Sequence, residues 1–582
     1  MKGRYVWACL AFVACSGAPH PPPAPAFDAR PWLEDLAQLE DAIGQHYANL
    51  EWNVQKRGLD VAALDRTTRD QLSRSTTDRE GMEALVRFIA AFHDPHFSWT
   101  ARLPRNRYDV RFTSDGASVR ILKAGPGACG AQAGDVVESI QDRPALEQLQ
   151  ARLPLARLPS PASRRDEALR TFTSSPFAPP DGLRFRFVHQ GAERECMLAL
   201  LPALPTPPES APVIAADSPG DKACEAMGMG MAASSPPPPS PLLFDPARHP
   251  AFTPAAQTSM FGAGTVRLAS GKTLGWLRVP LFSEEAYPAF CVASWNTYRT
   301  SLKEPCGEQC QGDFHGEVLM PGLVDAISKH LDAFRAAKVS GVVVDISDNG
   351  GGTDWVTDTA LLLSARELSC PATARVREPA AAKAAGDELK ELESCGAAPA
   401  AMEWTKGFQA EAAQTCDWRP AFGGAPAPAC SMLTRSRRSV CRPSIGAGLK
   451  CASLKPVPDD HRVHGFGGAP LYVLINRDTA SAAEFFAAVL RDSGAATLVG
   501  ERTLGAGCGY IDGGGEATLK HSALKVKMPN CARYRVDGTN EVEGITPDVE
   551  LPWTGEDLTR FESYAEKALA HADELFLRSS SP

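Results

Sequence analysis

Long apolar runs are missing from this chain beyond its first residues, so no later segment is long and apolar enough to cross a bilayer. Basic tracts are missing as well. Net charge is −9 and the pI is near 5.8, which excludes nucleic acid as an expected partner. No G-x-G-x-x-G fingerprint follows a strand, which speaks against dinucleotide binding. Metal-ligand spacings are equally scarce. Cys306-x-x-x-Cys310 has no CxxC companion and His461-x-x-His464 stands alone, so neither metal nor cofactor is expected.

What is present begins with a short leader. Lys2 and Arg4 precede an apolar run from Tyr5 to Ala14, the pattern of a secretory signal. Phe12-Val-Ala-Cys15 resembles the bacterial lipoprotein cleavage box. That resemblance implies a signal over 1–15, lipidation of Cys15 and a Pro-rich tether over 16–30; plain secretion with cleavage nearby is the alternative. The expected location is the cell envelope, as an outer-membrane or periplasmic lipoprotein, or otherwise outside the cell. Cysteine usage agrees with export. Of 16 cysteines, setting aside Cys9 and Cys15 leaves 14, an even number that favours disulfides in an oxidising compartment.

The chain has 582 residues, 44% hydrophobic and 22% charged, an ordinary globular balance with length for about three or four domains. Residues 31–107 carry a helical pattern: Leu33, Leu36, Leu39 and Ile43 recur at helix spacing, as do Met82, Leu85, Val86 and Ile89. Pro95 stops that pattern and leaves His96 just beyond it. Residues 108–203 alternate short strands and turns. The stretch "AGDVVESIQDRPAL" resembles a PDZ module, in which a strand and an adjoining helix form a peptide groove. Residues 204–263 are rich in Pro, Ala and Ser, the composition of a linker.

From residue 264 to 582 strands alternate with helices, which predicts an α/β domain with a mainly parallel sheet covered on its faces. An insertion at 370–467 holds Cys370, Cys395, Cys416, Cys430, Cys441 and Cys451 and is expected to be stapled by disulfides. Chemistry in such sheets gathers at the carboxyl ends of strands. Two segments lie at such ends. One is "VVVDISDNGGG", whose glycines allow close backbone approach and an anion-binding nest. The other is "INRDTASAAEFFAAVL", where Ser481 stands among alanines at a strand-to-helix junction. Ser481-Ala-Ala-Glu484 fits a capping box, the structural reading. A serine at a helix N-terminus, with free N–H groups nearby, also fits a nucleophile.

Together with "EVEGITPDVELPW", these segments, in this order, resemble the tail-specific (C-terminal processing) serine peptidases and their tricorn-type relatives. The resemblance implies a crotonase-like peptidase core acting on peptide or protein substrates. It places the nucleophile on Ser481 and the oxyanion donors on Gly350 or Gly351 and on Ala482. The lysine base of tail-specific members falls on Ala506, which can accept no proton. The tricorn-like branch uses a histidine from the N-terminal region instead, and His96 in "HDPHFSW" matches it. A supporting glutamate falls on Glu541, with Glu543 as the other choice. Pro95 replaces the serine that tricorn sets beside its histidine, leaving Asp94 or a backbone carbonyl to orient the ring. The missing lysine and Pro95 also admit an alternative: a catalytically inactive peptide- or ligand-binding protein on the same scaffold.

Overall fold

Val342, Val343 and Val344 are buried on both faces of one strand, as a strand covered by helices on either side requires. It belongs to a seven-stranded sheet: β1 (Phe252–Pro254), β2 (Gly262–Arg267), β3 (Thr273–Arg278), β4 (Gly341–Asp345), β5 (Leu471–Ile475), β6 (Thr497–Gly500) and β7 (Val549–Glu550). Spatial order follows chain order. The first two pairings are antiparallel and the four from β3 to β7 are parallel, giving the mainly parallel α/β core expected. The computed structural model describes residues 27–101, 105–202, 213–229, 251–255, 260–442 (without 354), 469–552 (without 512), 554, 557 and 564–579. Cys15, the signal and residues 16–26 of the expected tether lie outside the described residues, and Arg30, its last residue, already opens a helix.

In the N-terminal region, α1 (Arg30–His46) buries Leu36, Leu39 and Ile43, and α2 (Asp78–Ala90), capped by Thr77, buries Met82, Leu85, Val86 and Ile89. This region does not stand apart. Strand Ser98–Thr100 pairs antiparallel with Lys525–Met528, setting Ser98 opposite Lys527 and Thr100 opposite Lys525. Asp35 also accepts from the backbone N–H groups of His521 and Ser522. The segment bearing His96 is thus sewn into the far end of the chain. Between them, an antiparallel sheet built from strands between Val110 and Leu198 packs with helix Pro161–Thr173, and Cys129 is bridged to Cys196.

In the core, α3 (Met320–Ala336) precedes β4, α4 (Trp355–Leu363) follows it, and α5 (Ala482–Asp492) follows β5. α5 buries Phe486, Val489 and Leu490 in the same cluster as Val344, Val473 and Ile475. Among the described residues no helix is long and apolar enough to cross a membrane.

The linker expectation for 204–263 needs correction. Ile214 bridges to Cys306, Gly220–Ala226 is helical, and Cys224 is bonded to Cys291. Phe252–Pro254 is already the first strand of the core. A cysteine's partner cannot be read from composition, which is why this stretch passes for a tether. Cys306 is bonded to Cys310, so that pair is a staple. Disulfides Cys370–Cys441 and Cys416–Cys430 hold the insertion. It leans on the N-terminal helices: Trp418 is fully buried and its backbone N–H donates to the Gly44 carbonyl.

Candidate active site

β4 and β5 are adjacent and parallel, so the loops leaving their carboxyl ends meet. Hydrogen bonds lock them. Ala480 N donates to Asn349 O at 2.9 Å, Asp348 N to the Asn476 side chain at 2.9 Å, and Thr479 Oγ1 to Ile346 O at 3.0 Å. At the end of this lock sits Ser481, half-exposed, with φ 57° and ψ −115°. An ordinary N-cap residue lies in the β region. A non-glycine residue held at this φ costs on the order of 1–3 kcal/mol and persists where its surroundings over-determine it. The same sharp strand-to-helix turn lifts a nucleophilic serine out of an α/β sheet elsewhere.

The glycine loop abuts this turn. Gly351 has φ +101°, and a Cβ there would stand 2.7 Å from Ser481 Cβ and 2.8 Å from both Ala480 O and Ala482 N. Its N–H is already occupied, donating to Asn349 Oδ1 at 2.9 Å. Of the two glycines expected as oxyanion donors, Gly351 thus has its N–H engaged. Gly351 gives the close approach, while the N–H groups of Gly350 and Ala482 have no partner among the described residues. The cause is the Asn349 side chain, turned back over its own loop.

Behind Ser481 lies a hub that the sequence only hinted at. Glu484 is fully buried and accepts from Ser481 N at 2.9 Å, Gly505 N at 2.7 Å, Ala506 N at 2.8 Å and Thr503 Oγ1 at 2.5 Å. Burial pushes its carboxyl up, and these donors oppose the rise. The capping-box spacing signals the Ser481–Glu484 contact, but nothing local announces the other donors.

Ala506 also meets the histidine. His96 Nδ1 lies 2.6 Å from the Ala506 carbonyl oxygen. A carbonyl only accepts, so Nδ1 carries the proton and Nε2 keeps its lone pair. Burial lowers the pKa of His96, while the Asp94 charge raises it. Asp94 braces the backbone rather than the ring: it accepts from His96 N at 2.9 Å, Asn49 Nδ2 at 2.8 Å and Tyr47 OH at 3.0 Å. Tyr510 OH donates to the His96 carbonyl. No hydrogen bond joins His96 to Ser481 directly. They are tied through Ala506, whose N–H reaches Glu484 and whose carbonyl holds the ring.

Glu541 is fully buried, with Oε2 2.6 Å from Arg533 Nε. Arg533 Nη2 donates to Gly507 O at 2.8 Å and Ser481 O at 3.3 Å, so Glu541 reaches the serine turn through a guanidinium. Glu543 instead clasps Arg57 at 2.6 Å and Trp52 at 2.8 Å, a tie to the N-terminal region. Cys508–Cys531 fixes the loop carrying Ala506 to the strand carrying Arg533. Among the described residues no group of three His, Cys, Asp or Glu side chains is placed to hold a metal.

Residues 320–551 match peptidase family S41. An uncharacterized protein of Chlamydia muridarum (strain MoPn / Nigg) is 35% identical over 100 residues, covering 17% of this chain and 16% of that protein. A protein of Chlamydia trachomatis serovar D is 32% identical over 109 residues, with the same coverages of 17% and 16%. The matched part thus spans about a sixth of these curated relatives. Among solved structures, mature CPAF superposes with a TM-score of 0.64 at 18% identity, covering 94% of this chain and 97% of that one. Mature CPAF complexed with lactacystin gives 0.63 at 17%, covering 94% and 98%. These likenesses show that the fold is shared.

Proposed function

We propose, from the match of residues 320–551 to peptidase family S41, that the chain is a serine endopeptidase of the tail-specific kind with Ser481 as nucleophile and His96 as base. The observation that carries this reading is the Ala506 clamp. One residue's N–H and C=O hold, through Glu484, the serine turn on one side and the imidazole on the other. His96 Nε2 takes the Ser481 proton as Oγ attacks the peptide carbonyl carbon. The N–H groups of Gly350 and Ala482 stabilise the oxyanion that forms. The imidazolium returns the proton to the departing amine, leaving an acyl-serine. A water deprotonated by the same nitrogen then cleaves that ester. Glu541 neutralises Arg533, which steadies the Ser481 carbonyl and is a positioning group rather than a proton carrier. The strained Ser481 backbone favours catalysis over ligand holding, because a passive cap has no use for it.

The β-rich region over 108–203 presents substrate in this reading, and the product is two peptides with no cofactor consumed. We also propose export to the envelope with Cys15 as lipid anchor, supported by six disulfides among the described residues. Metabolic labelling with a fatty-acid analogue, lost in Cys15→Ala, tests the anchor. Cleavage of an unfolded protein by the purified chain tests the activity. Ser481→Ala and His96→Asn each reduce it by about three orders of magnitude or more, whereas undiminished cleavage by either variant rules the assignment out.

A further inference from the structure

Strand Ser98–Thr100 is an edge strand. Its sheet runs Ser98–Thr100, Lys525–Met528, Gly515–Thr518, so among the described residues one side of the strand lacks a strand partner. An edge is a template for another extended chain. It opens on a cavity of about 420 Å³ between the N-terminal helices and the β-rich region. The walls combine an apolar side, where Trp99 meets Phe177 with ring centroids 5.9 Å apart, and three guanidiniums, those of Arg105, Arg157 and Arg170.

Against three cations the cavity offers one carboxylate, and that one is engaged. Glu167 accepts from Arg157 Nε at 3.1 Å, Arg157 N at 2.6 Å and Leu158 N at 3.0 Å. Among the described residues Arg105 donates to a backbone carbonyl alone, Ser174 O, at 3.2–3.3 Å. Arg170 Nε is buried without a hydrogen-bond partner. Burial, and then the neighbouring charges of Arg107, Arg170 and Arg157, depress the pKa of Arg105, whereas Arg157 has Glu167 and Arg170 has the nearby Asp166 carboxylate. The cavity is also wired to the base: Arg157 Nη1 donates to the carbonyls of Pro95 and Phe97, on either side of His96, at 3.4 and 3.1 Å.

We propose that this cavity is a substrate subsite in which an extended peptide adds to the free edge of Ser98–Thr100 and sets a carboxylate, from an acidic side chain or the peptide's own C-terminus, between Arg105 and Arg170. A guanidinium pair matches a carboxylate bidentately and discriminates it from an amide. The inference rests on the peptidase reading but is tested by binding alone. In full-length Ser481→Ala protein, fluorescence anisotropy compares three labelled peptides of one apolar sequence. One carries Glu and an amidated end, one Gln and a free carboxylate, and one Gln and an amidated end.

The first or second binds at least about tenfold tighter than the third, and which one does so identifies the carboxylate's source. That preference falls below about twofold in Arg105→Gln/Arg170→Gln and in each single variant shrinks part-way. Unfolding midpoints of the single variants confirm the fold. Equal affinity for all three peptides, or a preference that survives the double substitution, overturns the proposal. Because the Ser481→Ala protein cannot turn substrate over, failure of binding and failure of hydrolysis by the parent chain are separate outcomes.

Discussion

The ring of His96 hangs from the backbone of Ala506, Nδ1 to O at 2.6 Å. The position that bears a lysine base in one branch of the resembling family is here a methyl group, 2% exposed, whose main chain holds the ring we propose as the base, brought from the opposite end of the sequence. Neutral imidazole with its proton on Nδ1 presents Nε2 for proton transfer, and a carbonyl anchor enforces that tautomer without adding charge.

Gly509 flanks the ring. A Cβ there would stand 3.0 Å from His96 Nε2, 3.1 Å from Cε1 and 3.2 Å from Cδ2, with no closer backbone contact. Gly509→Ala is therefore a probe aimed at the base. We expect kcat/KM to fall about 10- to 100-fold through misplacement of the imidazole, with an unfolding midpoint within a few degrees of the parent. Steady-state hydrolysis and thermal unfolding, measured side by side, check this. Unchanged kcat/KM would mean that the ring has no part in the chemistry.

Glu484 holds four donors around a buried carboxylate. Glu484→Gln keeps the shape but turns an N–H₂ toward donors, leaving buried groups unpaired. The expected loss of stability is about 2–4 kcal/mol, accompanied by loss of activity, because the Ser481 turn and the Ala506 loop share this anchor. Chemical denaturation gives the first quantity. A variant as stable as the parent contradicts the role given to this residue.

The pH profile follows from the direction of the His96 shift. The base acts when neutral, so activity is lost as pH falls through the folded-state pKa. Burial lowers that pKa from 6.5, and the acid limb of kcat/KM is expected below pH 6.5. Asp94 raises the same pKa, so Asp94→Asn should move the limb further down. His93 adds a stability effect: burial lowers it to about 4. The unfolded chain takes up that proton first, so stability is lost as pH falls from about 6.5 to 4, by about 3 kcal/mol. Denaturation midpoints across that range, flattened in His93→Gln, check the sign.

Much of this site was legible in sequence because it rests on side-chain identity and on strand and helix periodicity. The two glycine- and serine-bearing strand ends and the alternation from 264 onward needed no coordinates, whereas the helix expected to run up to Pro95 already ends at Ala90. What stayed hidden is backbone chemistry and long-range pairing. No side chain marks the Ala506 carbonyl as the orienting group. The capture of the Gly351 N–H by Asn349 depends on a rotamer, and the folded piece around Cys224 depends on a disulfide partner 67 residues away. Glu484 was visible as a capping residue, yet its contacts to 503–506 arise only when β5 and β6 lie side by side.

The most direct test of the central relationship is covalent. A fluorophosphonate traps a serine only when a base activates it, and peptide mass spectrometry locates the adduct. We predict stoichiometric modification of Ser481 in the parent chain, and loss of modification in His96→Gln with the fold retained by circular dichroism. Modification of Ser481 at the parent rate in His96→Gln, or an adduct on another residue alone, would contradict the account.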